Sequence, residues 1–75
     1  MSTIIYTSNG GGPCMATKSW LRNNSIDFEE RNVSTNAEYL EELVQQGFRT
    51  TPVVVKGNRV VVGYSPSVLA KTFGA

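Results

Sequence analysis

The chain has 75 residues, which allows one domain, 1–75, with a small apolar core. Seven Lys and Arg against six Asp and Glu give a net charge of +1, so the balance signals no nucleic-acid partner. One cysteine and no histidine exclude an intramolecular disulfide and a zinc site of ordinary composition, and no apolar run approaches the ~20 residues of a membrane span.

Thr3-Ile4-Ile5-Tyr6-Thr7 is short, β-branched and without clean alternation, which predicts a central strand buried on both faces. Residues 1–5 also lack the basic and long apolar regions of a secretory leader, so a cytoplasmic protein is expected. Ser8 to Gly12 supports neither strand nor helix and reads as a loop. Pro13 then suits the first turn of a helix, where its missing N–H costs nothing. Ala16, Thr17, Trp20 and Leu21 share one side of that helix, and Asn23-Asn24-Ser25 ends it.

Residues 26–33 are polar at most alternate positions, as an edge strand would be. Thr35-Asn36-Ala37-Glu38 reads as a capping box with the Thr35 hydroxyl at the N-cap. The helix after it should bury Tyr39, Leu40, Leu43 and Val44. It should stop at Gly47, with Phe48 folded back on Leu43 in a Schellman contact. Val53-Val54-Val55 and Val60-Val61-Val62, joined through Gly57-Asn58, read as a hairpin. Ser65-Pro66 opens a last helix with Val68, Leu69 and Phe73 as its stripe. The order is βαβαββα: an α/β fold with a four-stranded mixed sheet and three helices, its first two strands parallel.

Chemistry concentrates where the first strand meets the first helix. A cysteine delivered to a helix N-terminus sits among backbone N–H groups and a dipole that favour a thiolate, as in a thiol–disulfide redox site. Such a site normally reads C-x-x-C, and here the tetrad is Gly11-Gly12-Pro13-Cys14. A small buried hydrophobe is the rival reading of Cys14. Gly10-Gly11-Gly12 could also make an anion-binding nest, although neither phosphate-loop nor dinucleotide spacing can be written through it. Thr51-Pro52 sits where a proline is tolerated, at a strand start, and base rates alone give it a trans bond. Gly63-Tyr64 forms another strand-to-helix junction, where the tyrosine is either a contact residue or half-buried packing.

Taken together, Ile5-Tyr6-Thr7, Cys14-Met15-Ala16-Thr17-Lys18, Gly47-Phe48-Arg49, Pro52-Val53-Val54 and Gly63-Tyr64-Ser65-Pro66 resemble the glutaredoxin branch of the thioredoxin fold, and within it the NrdH-redoxin group. The resemblance runs over nearly the whole chain. It implies a thiol–disulfide oxidoreductase that passes electrons to ribonucleotide reductase and is reduced by thioredoxin reductase, with no cofactor or metal and as a monomer. It places Cys14 at the resolving position and Gly11 where the nucleophilic cysteine should stand, so the chain as written should be inactive. Pro52 becomes the family's cis-proline, and Gly12, Pro13, Thr51, Gly63 and Tyr64 become substrate-binding positions. Ser8 and the acid-free Gly63–Pro66 loop depart from the glutathione-binding pattern. A cysteine at position 11 would complete the Cys-Gly-Pro-Cys tetrad characteristic of thioredoxins. The alternative class is a thioredoxin-fold binding module that kept the fold and lost the chemistry. One-thiol chemistry or iron–sulfur ligation by Cys14 fits less well, because Cys14 lies three residues beyond the usual ligand position.

Overall fold

The computed structural model describes residues 2–74. The elements follow the expected order: β1 (Thr3–Thr7), α1 (Gly12–Asn23), β2 (Glu29–Asn32), α2 (Ala37–Gln45), β3 (Val53–Lys56), β4 (Arg59–Val62) and α3 (Pro66–Phe73). They form one sheet in the order β2-β1-β3-β4. β2 lies parallel to β1, as a right-handed β-α-β crossover requires, while β3 and β4 are antiparallel. This is the mixed-sheet, three-helix α/β architecture of the minimal thioredoxin fold.

Register explains the two cores. Ile5, Val54 and Val61 stand in one row across three strands, and that row packs with Leu21 of α1 and Leu69 of α3. Tyr6 and Val53 form the neighbouring row on the opposite face, covered by Leu43 of α2. Successive strand residues point to opposite faces, so β1 needs apolar side chains at consecutive positions, which its sequence supplies. Val62 continues the second row but is 48% exposed, and Val60 on the same face is 40% exposed. The helical cover therefore ends at β3.

Several local expectations need correction. Residues 26–33 do not form one strand: β2 spans only Glu29–Asn32, and Ile26 and Phe28 turn inward to pack on the first core. The cap of α2 is Asn36, not Thr35. Asn36 Oδ1 accepts from the Glu38 backbone N–H at 2.9 Å, while the Thr35 hydroxyl donates to the Asn32 carbonyl. Helix α1 starts one residue early, with Gly11 as N-cap and Gly12 ahead of Pro13. In α2 only Leu43 is buried; Tyr39 is half-buried, and Leu40 and Val44 are exposed. The helix is rolled by an anchor on its other flank, where Glu42 Oε1 accepts from Arg31 at 2.6 Å and from the Tyr6 hydroxyl at 3.0 Å. In α3, Leu69 is buried but Val68 is largely exposed.

The C-terminus of α2 follows expectation. The Gly47 N–H donates to the Val44 carbonyl and the Phe48 N–H to the Leu43 carbonyl, with Gly47 at φ +91°: a Schellman motif. The Phe48 side chain joins Leu43 in the second core.

Candidate redox site

Strand directions bring the candidate residues together. Tyr6 of β1 pairs with Val53 of β3, and Val53 pairs with Val62 of β4. The segments that follow β1, precede β3 and follow β4 therefore emerge at one end of the sheet. These are the Ser8–Gly12 loop, Thr51-Pro52 and Gly63-Tyr64.

Hydrogen bonds tie the three segments to one another. Ser8 Oγ and Thr51 Oγ1 lie 2.6 Å apart and share a hydrogen bond. The Gly63 N–H donates to the Pro52 carbonyl at 2.8 Å. The Thr51-Pro52 peptide bond is cis and the Pro52 ring is fully buried. A second brace holds the loop from the β2 side: Asn9 N–H donates to Ser34 Oγ, and Asn32 Nδ2 donates to Asn9 Oδ1, both at 3.0 Å. The Ser8–Thr51 bond and the asparagine brace escaped the reading from sequence. Each joins residues more than 20 positions apart, so only the register of the sheet reveals them.

Cys14 lies in the first turn of α1 and is 3% exposed. Around it, the Met15 N–H donates to the Gly11 carbonyl at 3.2 Å, and the Thr17 hydroxyl donates to the Pro13 carbonyl at 2.8 Å. Gly12 and Pro13 are exposed. Tyr64 is 44% exposed.

The spacing between Gly11 and Cys14 is specific. A Cβ placed on Gly11 would lie 3.1 Å from Cys14 Sγ and 3.5 Å from Cys14 Cβ. A disulfide holds its two Cβ atoms ~3.5–4.5 Å apart, and its bond lengths put each Cβ about 3 Å from the opposite sulfur. Gly11 has φ −89°, open to any L-residue. Position 11 therefore has the backbone and spacing of one end of a disulfide to Cys14. A side chain unable to bond the sulfur would be crowded there.

One turn further along α1 from Cys14, Lys18 reaches a carboxylate of β2. Glu30 Oε2 accepts from the Thr7 hydroxyl at 2.8 Å and from Lys18 Nζ at 3.1 Å. The Thr7 bond is the main reason the Glu30 carboxyl is held below its ordinary range, with Lys18 adding to it against a partly buried setting that pushes the other way. Among the described residues no group of His, Cys, Asp and Glu is placed to hold a metal ion. No helix among them is long and apolar enough to cross a membrane.

Comparison with known proteins places the chain in a family. A family model described as Glutaredoxin matches residues 3–61. The chain is 36% identical over 67 residues to a glutaredoxin-like protein NrdH of Lactococcus lactis, covering 89% of this chain and 93% of the relative. It is 41% identical over 69 residues to the Escherichia coli protein of the same name, covering 92% and 85%. The solved structure of the NrdH-redoxin from Escherichia coli superimposes with a TM-score of 0.86 at 39% identity, over 95% of this chain and 93% of that one. Model match, identity and superposition converge: the chain belongs to the glutaredoxin family, beside the glutaredoxin-like NrdH proteins.

Proposed function

We propose that the chain is a redoxin scaffold built for thiol–disulfide exchange, disarmed by Gly11. The observation that carries this reading is the fit of position 11 to a disulfide with Cys14, at 3.1 Å from Cβ to Sγ. In the armed form a thiolate at position 11 attacks a partner's disulfide, forming a mixed disulfide and releasing one partner thiolate. Cys14, deprotonated, then attacks the sulfur at position 11 and releases the second. Two electrons pass to the partner and the tetrad closes as a disulfide, which a reductase reopens with two electrons and two protons. With glycine at position 11 the first step has no nucleophile, and Cys14 is too enclosed to replace it.

Thr51, Pro52, Gly63, Tyr64, Gly12 and Pro13 form the recognition rim in this reading, where a partner segment adds along the Thr51-Pro52 backbone. The reductant is thioredoxin reductase and the acceptor ribonucleotide reductase or another disulfide-bearing protein in the cytoplasm. The Escherichia coli relative, described as having a thioredoxin-like activity profile, supports the choice of reductant. Ser8 supports it as well, because its hydroxyl is engaged with Thr51 and offers no positive charge to a glutathione carboxylate.

The test is NADPH consumption with thioredoxin reductase and a protein disulfide, for the chain as it stands and for Gly11→Cys. Turnover by the variant alone is the expected result. Turnover by neither would leave the alternative reading, a binding module, as the function. Normal turnover by the unaltered chain would refute the disarmed-redoxin proposal.

A further inference from the structure

The charges of this chain are segregated across the sheet. All six acidic residues fall between Asp27 and Glu42, while residues 43–75 carry Arg49, Lys56, Arg59 and Lys71 and no Asp or Glu. β2 and β4 are opposite edges of the sheet, so the two populations flank opposite sides. On the β2 side three of the six acids are paired: Glu29 and Glu42 with Arg31, and Glu30 with Lys18. On the β4 side, Lys56, Arg59 and Lys71 border a cleft of about 440 Å³ with Thr72 and Phe73. Lys56 is fixed there, its Nζ donating to the Thr72 carbonyl at 3.3 Å and lying 4.9 Å from the centre of the Phe73 ring. Among the described residues none of these three cations has an acidic partner within 4 Å.

The edge beside this cleft is open. The Gly63 N–H points inward to the Pro52 carbonyl, so the alternating pattern turns the N–H and C=O groups of Val60 and Val62 outward. Their side chains are 40% and 48% exposed. Edge strands are usually guarded by charge, proline, a bulge or a cover, yet here Arg59 alone offers protection, at one end.

We propose that β4 is a docking edge for an acidic, extended segment of a partner protein. The segment pairs with Val60 and Val62 as a fifth strand, sets alternate apolar side chains beside theirs, and places carboxylates on the Lys56–Arg59–Lys71 cluster. β4 runs from that cluster towards Gly63-Tyr64, roughly 13 Å over four residues, so a docked segment leads to the rim of the redox site. That the partner bears a disulfide rests on the electron-donor reading; the docking itself does not. A second copy of this chain is a poorer occupant. The carboxylates of its own β2 strand, Glu29 and Glu30, already have counter-charges in Arg31 and Lys18, and head-to-tail pairing of opposite edges gives a ring or an open filament instead of a simple two-fold dimer.

The test is titration of ¹⁵N-labelled protein, unaltered and therefore without turnover, with the acetylated hexapeptide amide Glu-Glu-Val-Thr-Val-Thr and its Lys-Lys-Val-Thr-Val-Thr counterpart. Saturable shifts centred on the Val60 and Val62 amides with the acidic peptide are expected, weakening as salt rises. The lysine peptide should bind at least tenfold more weakly. Arg59→Glu and Lys71→Glu should each weaken the acidic peptide severalfold, with the rest of the amide spectrum unchanged. Equal binding of the two peptides, shifts centred elsewhere, or no binding would overturn the proposal. Edge shifts that grow with protein concentration alone would also overturn it and point to self-association. Because no thiol chemistry enters, failure here leaves the Gly11→Cys result standing, and the reverse holds too.

Discussion

Ser8 and Thr51, 43 residues apart, share a 2.6 Å hydroxyl hydrogen bond that joins the loop after β1 to the segment before Pro52. Both residues are partly buried, so losing one hydroxyl leaves the other without its partner. Ser8→Ala should cost about 0.5–1.5 kcal/mol in urea unfolding. It should also speed amide exchange at Gly63, whose N–H donates to the Pro52 carbonyl, more than at Val54 in the middle of β3. Unchanged exchange at Gly63 would show that the segment is held without the Ser8–Thr51 bond.

The same end of the molecule predicts how Gly11→Cys behaves as a fold. The geometry around Cys14 admits a disulfide without backbone movement, so the oxidised variant should be more stable than its reduced form. A four-residue loop gives about 2 kcal/mol from chain entropy, read as a rise in urea midpoint that a reducing agent abolishes. Gly11→Ala lacks the bond but brings a Cβ to about 3 Å from Cys14 Sγ, well inside ordinary carbon–sulfur contact. It should gain nothing from oxidation and should displace the cysteine side chain.

How much of this was legible beforehand depends on the range of each interaction. β1, the hairpin and the Gly47 stop were readable because their signals are local: β-branched runs, Gly57-Asn58 between them, and a glycine at φ +91°. The family resemblance placed Cys14, Gly11 and the cis bond at Pro52, which base rates alone would have made trans. What the sequence concealed was set at long range. Periodicity marked Leu40 and Val44 as core, but the roll of α2 is fixed by Glu42 meeting Arg31 and Tyr6. The strand over residues 26–33 shrank because Ile26 and Phe28 found a core to join. The charge separation was visible in the sequence, yet it acquires meaning only once β2 and β4 prove to be opposite edges.

The Thr7–Glu30 bond gives a pH prediction. The Glu30 carboxyl is held below its ordinary value, chiefly by the Thr7 hydroxyl. Folding therefore gains stability above the ordinary glutamate range and loses it as pH falls through the lowered native value. Thr7→Val should raise the titration midpoint of the Glu30 carboxyl, followed by NMR. The stability advantage of the parent over the variant from this source should be constant at neutral pH and narrow on acidification below about 4.5. A gap that is the same at acid and neutral pH would place the effect in packing of the buried Thr7 side chain.

The roll of α2 makes a final, sharper prediction. Leu43 is 1% exposed and packs between Tyr6 and Val53, whereas Leu40 and Val44 are 45% and 43% exposed. Leu43→Ala removes three buried carbons and leaves a cavity under a single helix, which should cost about 2–5 kcal/mol. In so small a domain that is a large share of the whole stability, and a marked drop in urea midpoint is expected. Leu40→Ser and Val44→Ser should each cost about 1 kcal/mol or less, mostly through helix propensity and the apolar area still covered. Reading apolar periodicity alone gives the opposite expectation, three comparable losses. Similar costs at all three positions would mean that α2 sits rotated towards β4 in solution, with Leu40 and Val44 buried against Val60 and Val62. The side chains of Val60 and Val62 would then be unavailable to those of a docked segment, so the three midpoints also test that part of the docking surface.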